Sequence, residues 1–257
     1  MATILPFNKI SEQLNIKRDA KKVLLDTCAL MSFSHDTNEF HDETIDLFET
    51  LRREKVQAFT NINIRSEFVD LQRRLIITEA LTSLAQDIEG INSYDTIAKK
   101  LKSHKNNVHK RADSGNPLIL SDSNIKQFKK QLSFGHRGIQ NVWGKFCEDN
   151  LQGRLVKTFE IIERVLNLKY LSLRKGEKSG EVIGEISWEN MYRISEKSGL
   201  SIHDSMILNM FEGTNIPFLI TTDFDLVYAS AISAKHKIIF CPKKIYEEYA
   251  NSYFSVL

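Results

Sequence analysis

The chain has 257 residues, 42% of them hydrophobic and 26% charged, the proportions of an ordinary globular protein with room for a sizeable core. Its formal charge of +2 is the small difference between 35 Lys and Arg and 33 Asp and Glu, which excludes a strongly basic protein but leaves room for a local basic face. Cys28, Cys147 and Cys241 show no Cys-x-x-Cys spacing, no secretory signal opens the chain, and no run nears the roughly 18 apolar residues of a membrane span, so a cytoplasmic protein with reduced thiols and no membrane partner is expected.

Residues 1–20 are weakly patterned, and Ile4, Leu5, Phe7, Ile10, Leu14 and Ile16 suit a short helix packed on the body. Val23–Asp26 reads as a first strand: a short apolar run that ends abruptly in an acid, as a buried strand of a parallel sheet does. Phe40–Glu54 carries Ile45, Phe48 and Leu51 at a spacing of three, which predicts a helix. Val56–Phe59 is a second strand, and strand, helix, strand is the βαβ pattern of a parallel sheet. Thr60 and Asn61 are good caps for a helix that runs on towards Leu81, with Glu67 in its first two turns.

From about Glu79 to Glu185 the strand signal disappears. Helices are expected over Ile88–Val108, Asn124–Leu132, Ile139–Glu148 and Leu151–Leu171, the last with an apolar stripe of Leu155, Phe159, Ile162 and Leu166. The α/β pattern then returns. Trp188–Ser198 is a helix stopped by Gly199, Ser201–Phe211 is a second, and Pro217–Asp223 is a strand that again ends in an acid. A helix over Phe224–Ser233 and a strand over Lys237–Pro242 follow. The expected organisation is an α/β core in two halves, residues 1–80 and 186–257, that share one sheet. A mostly helical insertion, residues 81–185, separates them.

Four acids fall in comparable settings. Taken singly, each has an ordinary explanation. Asp26 can be a turn former or cap, Glu67 can complement a helix dipole, Asp204 completes a near capping box with Ser201, and Asp223 can cap the next helix. Taken together they point elsewhere. Asp26 and Asp223 end strands of one sheet, and Glu67 and Asp204 open helices, which leave a parallel sheet from that same rim. Several carboxylates in one place repel one another and require protons or cations. Oxygen-only donors favour Mg²⁺ or Mn²⁺.

This ordered set resembles the PIN-domain nuclease family. The matching residues are Leu24-Leu25-Asp26-Thr27, Ser66-Glu67, Leu200-Ser201-x-x-Asp204 and Thr221-Thr222-Asp223-x-Asp225, over about residues 20–80 and 186–245. The resemblance implies a three-layer α/β/α fold with a central parallel sheet and a metal-dependent nuclease. Asp26, Glu67, Asp204 and Asp223 would be the catalytic, metal-binding quartet, with Asp225 as an auxiliary metal-site acid. Thr27, Ser66 and Thr221 would support the site, the Thr221 hydroxyl by orienting a neighbouring carboxylate. Small toxins with this domain lack an insertion of this size, so substrate choice does not carry over from them.

The expected chemistry is hydrolysis of a phosphodiester by an activated water, leaving 5′-phosphate and 3′-hydroxyl ends. An acidic site still has to attract a polyanion. Lys99, Lys100, Lys102, Lys105, Lys110 and Arg111 lie in a stretch free of acids, either as a solvated helix face or as a nucleic-acid track. The leading expectation is an endoribonuclease, a toxin or an antiviral defence effector. An inhibitory protein partner and a homodimer stay open. The alternatives are a structure-selective DNA nuclease and a catalytically silent nucleic-acid or protein scaffold. Haloacid-dehalogenase chemistry is discounted because a second Asp is missing after Asp26, and ATP hydrolysis because there is no Walker A loop.

Overall fold

The computed structural model describes residues 2–16, 21–87, 99, 102–103, 119–134, 142–171, 180–234 and 236–254. In chain order they form β1 (Thr3–Pro6), α1 (Ile10–Ile16), β2 (Lys22–Leu25), α2 (Thr27–Ser34), α3 (His41–Arg53), β3 (Gln57–Thr60) and α4 (Ile62–Asp87). Then come α5 (Asp122–Phe134), α6 (Val142–Leu151), α7 (Arg154–Leu166), β4 (Lys169–Tyr170), α8 (Trp188–Ser198) and α9 (Ile202–Glu212). The chain closes with β5 (Phe218–Ile220), α10 (Phe224–Ser233), β6 (Ile238–Cys241) and α11 (Lys243–Phe254).

The described residues divide into two compact units. One comprises Met1–Asp36, Phe40–Phe68 and Ile161–Leu257, and the other Thr37–Glu39 and Val69–Glu160. The first is α/β and contains an all-parallel six-stranded sheet in the order β1-β6-β5-β2-β3-β4. Val23, Leu24 and Leu25 of β2 and Phe218, Leu219 and Ile220 of β5 are all 0% exposed. Side chains alternate between the faces of a strand, so both faces of the sheet are covered here. That is why these strands read as unbroken apolar runs in the sequence rather than as alternating ones.

The strand order reverses between β2 and β5. β2, β3 and β4 succeed one another outward on one side, while β5, β6 and β1 lie on the other. In an open parallel sheet the carboxyl ends flanking such a reversal leave a crevice, because the connections depart in opposite directions. Asp26 follows β2 and Asp223 follows β5, one on each side of it.

The second unit has its own core. Ile77 and Leu81 of α4 pack with Leu120 and with Ile125, Phe128 and Leu132 of α5. Trp143 and Phe146 of α6 stack at its margin, ring centroids 5.3 Å apart. The Thr78 hydroxyl accepts the Leu120 N–H, and Arg73 joins Asp70 to Asp122, each at 2.7 Å.

The structure departs from the sequence expectations in three places. Residues 3–6 form an edge strand beside β6 rather than the start of a helix, and α1 begins only at Ile10. Pro6 at the end of β1 accounts for the change, since a proline disfavours helical backbone in the residue before it and cannot continue a ladder as a donor. The helix expected over Leu151–Leu171 is interrupted at Gly153 and stops at Leu166, where Asn167 takes a left-handed φ of 46°, a conformation asparagine tolerates. Lys169 and Tyr170 then pair with Phe59 and Thr60, giving a strand within the stretch where none was expected. Of the helix expected over Ile88–Val108, only Lys99, Lys102 and Ser103 are described, and all three are helical.

Candidate functional site

Asp26 is held by backbone and side chain alike. Its N–H extends the β2–β5 ladder by donating to Ile220 O at 3.0 Å. Its extended backbone makes it the N-cap of α2, with Oδ1 accepting from the Thr27 N–H at 2.6 Å. Oδ2 accepts from the Thr221 hydroxyl at 2.8 Å, across a separation of 195 residues. The same Thr221 oxygen accepts the Asp223 N–H at 3.0 Å. One hydroxyl therefore fixes both strand-ending acids.

Asp223 caps α10, its Oδ1 accepting from Asp225 N–H at 2.8 Å and Leu226 N–H at 3.4 Å. Thr27 ties the third acid in: its hydroxyl donates to Glu67 Oε2 at 2.7 Å. Glu67 sits in the second turn of α4, and Asn61 starts that helix by accepting the Ile64 N–H at 2.9 Å. Asp204 stands in the first turn of α9. The Ser201 hydroxyl accepts its N–H at 3.2 Å and donates to its Oδ2 at 2.7 Å. The capping explanations for Asp26, Asp204 and Asp223 are thus correct as local structure. They do not exhaust these residues, because a cap uses only part of a carboxylate.

The acids feel one another. Asp26 is 2% exposed, and burial pushes its carboxyl from 3.8 up to about 7, against the pull of the Thr221 hydroxyl and with the charges of Asp223, Glu67 and Asp204 adding to the rise. Asp223 is raised by burial first, then by Asp204 and Asp225, while the Asp225 and Leu226 N–H groups hold it down. The same field reaches Cys28, whose thiol burial and the carboxylates together hold well above its ordinary value. Cys28 is therefore a protonated thiol and no nucleophile. Among the described residues none of the four carboxylates pairs with Lys, Arg or His.

Also among the described residues, no three His, Cys, Asp or Glu side chains are gathered closely enough to hold one metal ion as they stand. The acids share a field without forming a closed coordination shell. The donor set nonetheless has the chemistry a hard cation takes. Glu67 Oε1, Asp204 Oδ1 and Asp223 Oδ2 accept no hydrogen bond among the described residues. The uncompensated repulsion at Asp26 is what a cation relieves.

Other expected site residues stand further off. Asp225 is exposed and acts on the cluster through its charge and its N–H to Asp223. Ser66 is exposed, and its hydroxyl makes no hydrogen bond among the described residues. Lys99 and Lys102 are exposed, while Lys100, Lys105, Lys110 and Arg111 lie outside the described residues. The Ser32–Thr222 hydroxyl pair, 3.1 Å apart, went unnoticed in the sequence. It braces α2 against the Thr221–Asp223 turn, and its only sequence signal was the doubled threonine before Asp223.

Thr221→Val tests the central link. Valine keeps the shape but removes the donor to Asp26 and the acceptor for the Asp223 N–H. Leaving buried polar groups unsatisfied costs about 1–3 kcal/mol. Since the Thr221 hydroxyl favours ionised Asp26, the cost in EDTA should be larger at pH 8 than at pH 5. Denaturant titrations at both values measure it, and an equal cost would show that Thr221 does not support the charge.

No family model, curated protein or solved structure matches this chain.

Proposed function

We propose that the protein is a Mg²⁺- or Mn²⁺-dependent endonuclease built on a PIN-like, three-layer α/β/α core, and that it hydrolyses RNA. The observation that carries this reading is the state of Asp26. It is a buried carboxyl raised to about 7, facing three further carboxylates from two helices and a neighbouring strand end. Structural ion pairs do not look like this, because they bring opposite charges together. Burying like charges is unfavourable, and such perturbed groups concentrate at functional sites.

Asp26, Glu67, Asp204 and Asp223 are the residues that would hold the ion, with Asp225 adding negative charge at the rim. A divalent cation there supplies charge stabilisation for the phosphodiester and a lowered pKa for water. The protein's own contribution is positioning. Thr221 orients Asp26, Thr27 orients Glu67 and Ser201 orients Asp204, each through a hydroxyl that donates to one oxygen; the second oxygen stays available on Glu67 and Asp204, while that of Asp26 accepts the Thr27 N–H. Asp26 has to lose its proton for the site to load, and its burial, with the three neighbouring charges adding to it, sets how readily it does so. The choice of RNA over DNA rests on the family resemblance alone, as does a role as toxin or defence effector.

The test is incubation of the purified chain with total RNA, single-stranded DNA and duplex DNA, in Mn²⁺ or in EDTA. Cleavage of RNA that vanishes in EDTA is the expected result. Cleavage confined to branched or flapped DNA would favour the structure-selective alternative. Inertness towards every substrate in Mn²⁺ would leave a nucleic-acid-binding scaffold.

A further inference from the structure

A second arrangement lies on the same rim of the sheet. α4 presents Glu67 towards Thr27. Arg65, two residues earlier and so roughly 200° around the helix axis, reaches the other way. Its guanidinium lies over the ring of Tyr170, 5.5 Å from the centroid. Tyr170 closes β4, opposite Thr60 at the carboxyl end of β3. The Tyr170 hydroxyl donates to Glu163 Oε1 at 2.5 Å, and Glu163 pairs with Arg65 at 3.6 Å. The Tyr170 hydroxyl is held far above its usual range, by burial first and then by Glu163, so it stays a neutral donor. The Arg65 side chain is still 38% exposed.

We propose that Arg65 is a phosphate-positioning residue, which holds the backbone of a nucleic-acid strand beside the four carboxylates. The inference rests on the nuclease reading and deepens it. A cluster of acids without basic partners repels a polyanion, so the strand needs a cationic hold close by but outside the cluster. Arg65 is on the same stretch of α4 as Glu67 and above the carboxyl end of β3. Tyr170 ends β4, two strands from β2, roughly 10 Å away at the usual strand spacing. A strand whose scissile phosphate lies over Asp26 thus passes Arg65 with a neighbouring phosphate. Arginine suits this task because its planar fork takes phosphate oxygens in pairs. The ring of Tyr170 lies beneath the guanidinium, and Glu163 anchors the ring through its hydroxyl. Glu163 tempers the charge without cancelling it, since a partly exposed pair at this distance is weak.

The probe is a fluorescein-labelled, mixed-sequence single-stranded RNA, titrated in Mg²⁺ by anisotropy at several salt concentrations. The protein is the full chain carrying Asp26→Asn, so that the RNA stays intact. Adding Arg65→Gln should weaken binding about tenfold and reduce the magnitude of the salt slope by about 0.7, the value of one lost phosphate contact on a single strand. Arg65→Lys should keep the slope while recovering only part of the affinity. A merely structural role for Arg65, through Glu163 and Tyr170, would lower Tm in the glutamine variant but leave the salt slope alone, and that outcome overturns the proposal. Failure of the nuclease reading shows separately, as no Mn²⁺-dependent cleavage by the unsubstituted chain. An unchanged salt slope in a chain that does cleave RNA rejects Arg65 alone.

Discussion

Asp26→Asn is expected to abolish Mn²⁺-dependent cleavage and, in EDTA, to raise the Tm at pH 7.5. The two effects have one cause. Asparagine fits the same space, and its amide can still accept the Thr27 N–H and meet the Thr221 oxygen, so the local hydrogen bonds survive. What disappears is the charge. Loss of a preorganised electrostatic partner of a reaction typically costs a factor of about 10²–10³ or more, and in the proposed site the group would also belong to the cation's donor set. In the metal-free fold the same charge is a burden, because it is buried and faces three others. Relieving it should raise Tm by roughly 5–10 °C, taking about 2–4 °C per kcal/mol for a chain of this size. A variant that loses both activity and Tm would show that Asp26 is a structural cap and nothing more.

The metal-free protein should lose stability as pH rises from about 4 to about 7. The carboxyl of Asp26 goes from 3.8 in the unfolded chain to about 7 in the fold. Between those values the folded state retains a proton that the unfolded chain has released, so stability falls with pH. The contribution is complete below the unfolded value and gone once pH has risen through the folded one. That rise in the Asp26 pKa corresponds to roughly 4 kcal/mol at most. Asp223 is shifted in the same direction and adds to the trend. Denaturant titrations of the wild-type chain and of Asp26→Asn across this range isolate the effect, since only the wild type should show the full decline. Parallel curves for the two proteins would mean that Asp26 is not the titrating group.

Divalent cations should reverse that decline. An ion that binds the folded state alone stabilises it by mass action, and loading the site displaces the Asp26 proton. Apparent cation affinity should therefore fall about tenfold for each pH unit below 7. Below that pH calorimetry in two buffers of different ionisation heat should record the release of one proton per binding event.

The local chemistry of the site was legible without a structure. Asp26 and Asp223 end apolar runs, Ser201 and Asp204 have the spacing of a cap, and Glu67 follows a helix start. Each signal lies within a few residues because strand burial, capping and helix periodicity are short-range effects. The apolar runs of β2, β5 and β6 were equally plain, since strands covered on both faces admit no polar residues. β1 and β4 were not legible. β1 buries only Ile4 and the two residues of β4 bury none, so neither shows an apolar run, and each exists because a neighbouring strand offers its edge.

An α/β chain with a parallel sheet, and acids at the ends of its strands and the starts of its helices, follows from local patterns in the sequence. Only the tertiary fold brings these acids into one another's field. Placing β5 directly beside β2 sets Thr221 against Asp26 and reverses the strand order between them. It also buries Asp26 at that reversal, and that burial, with the charges of three other carboxylates adding to it, raises its carboxyl from 3.8 to about 7. Arg65, Glu163 and Tyr170 belong wholly to this second category. They lie up to 105 residues apart in sequence, and no local pattern joins them. Their meeting depends on register, a property of paired strands that no single segment of chain possesses.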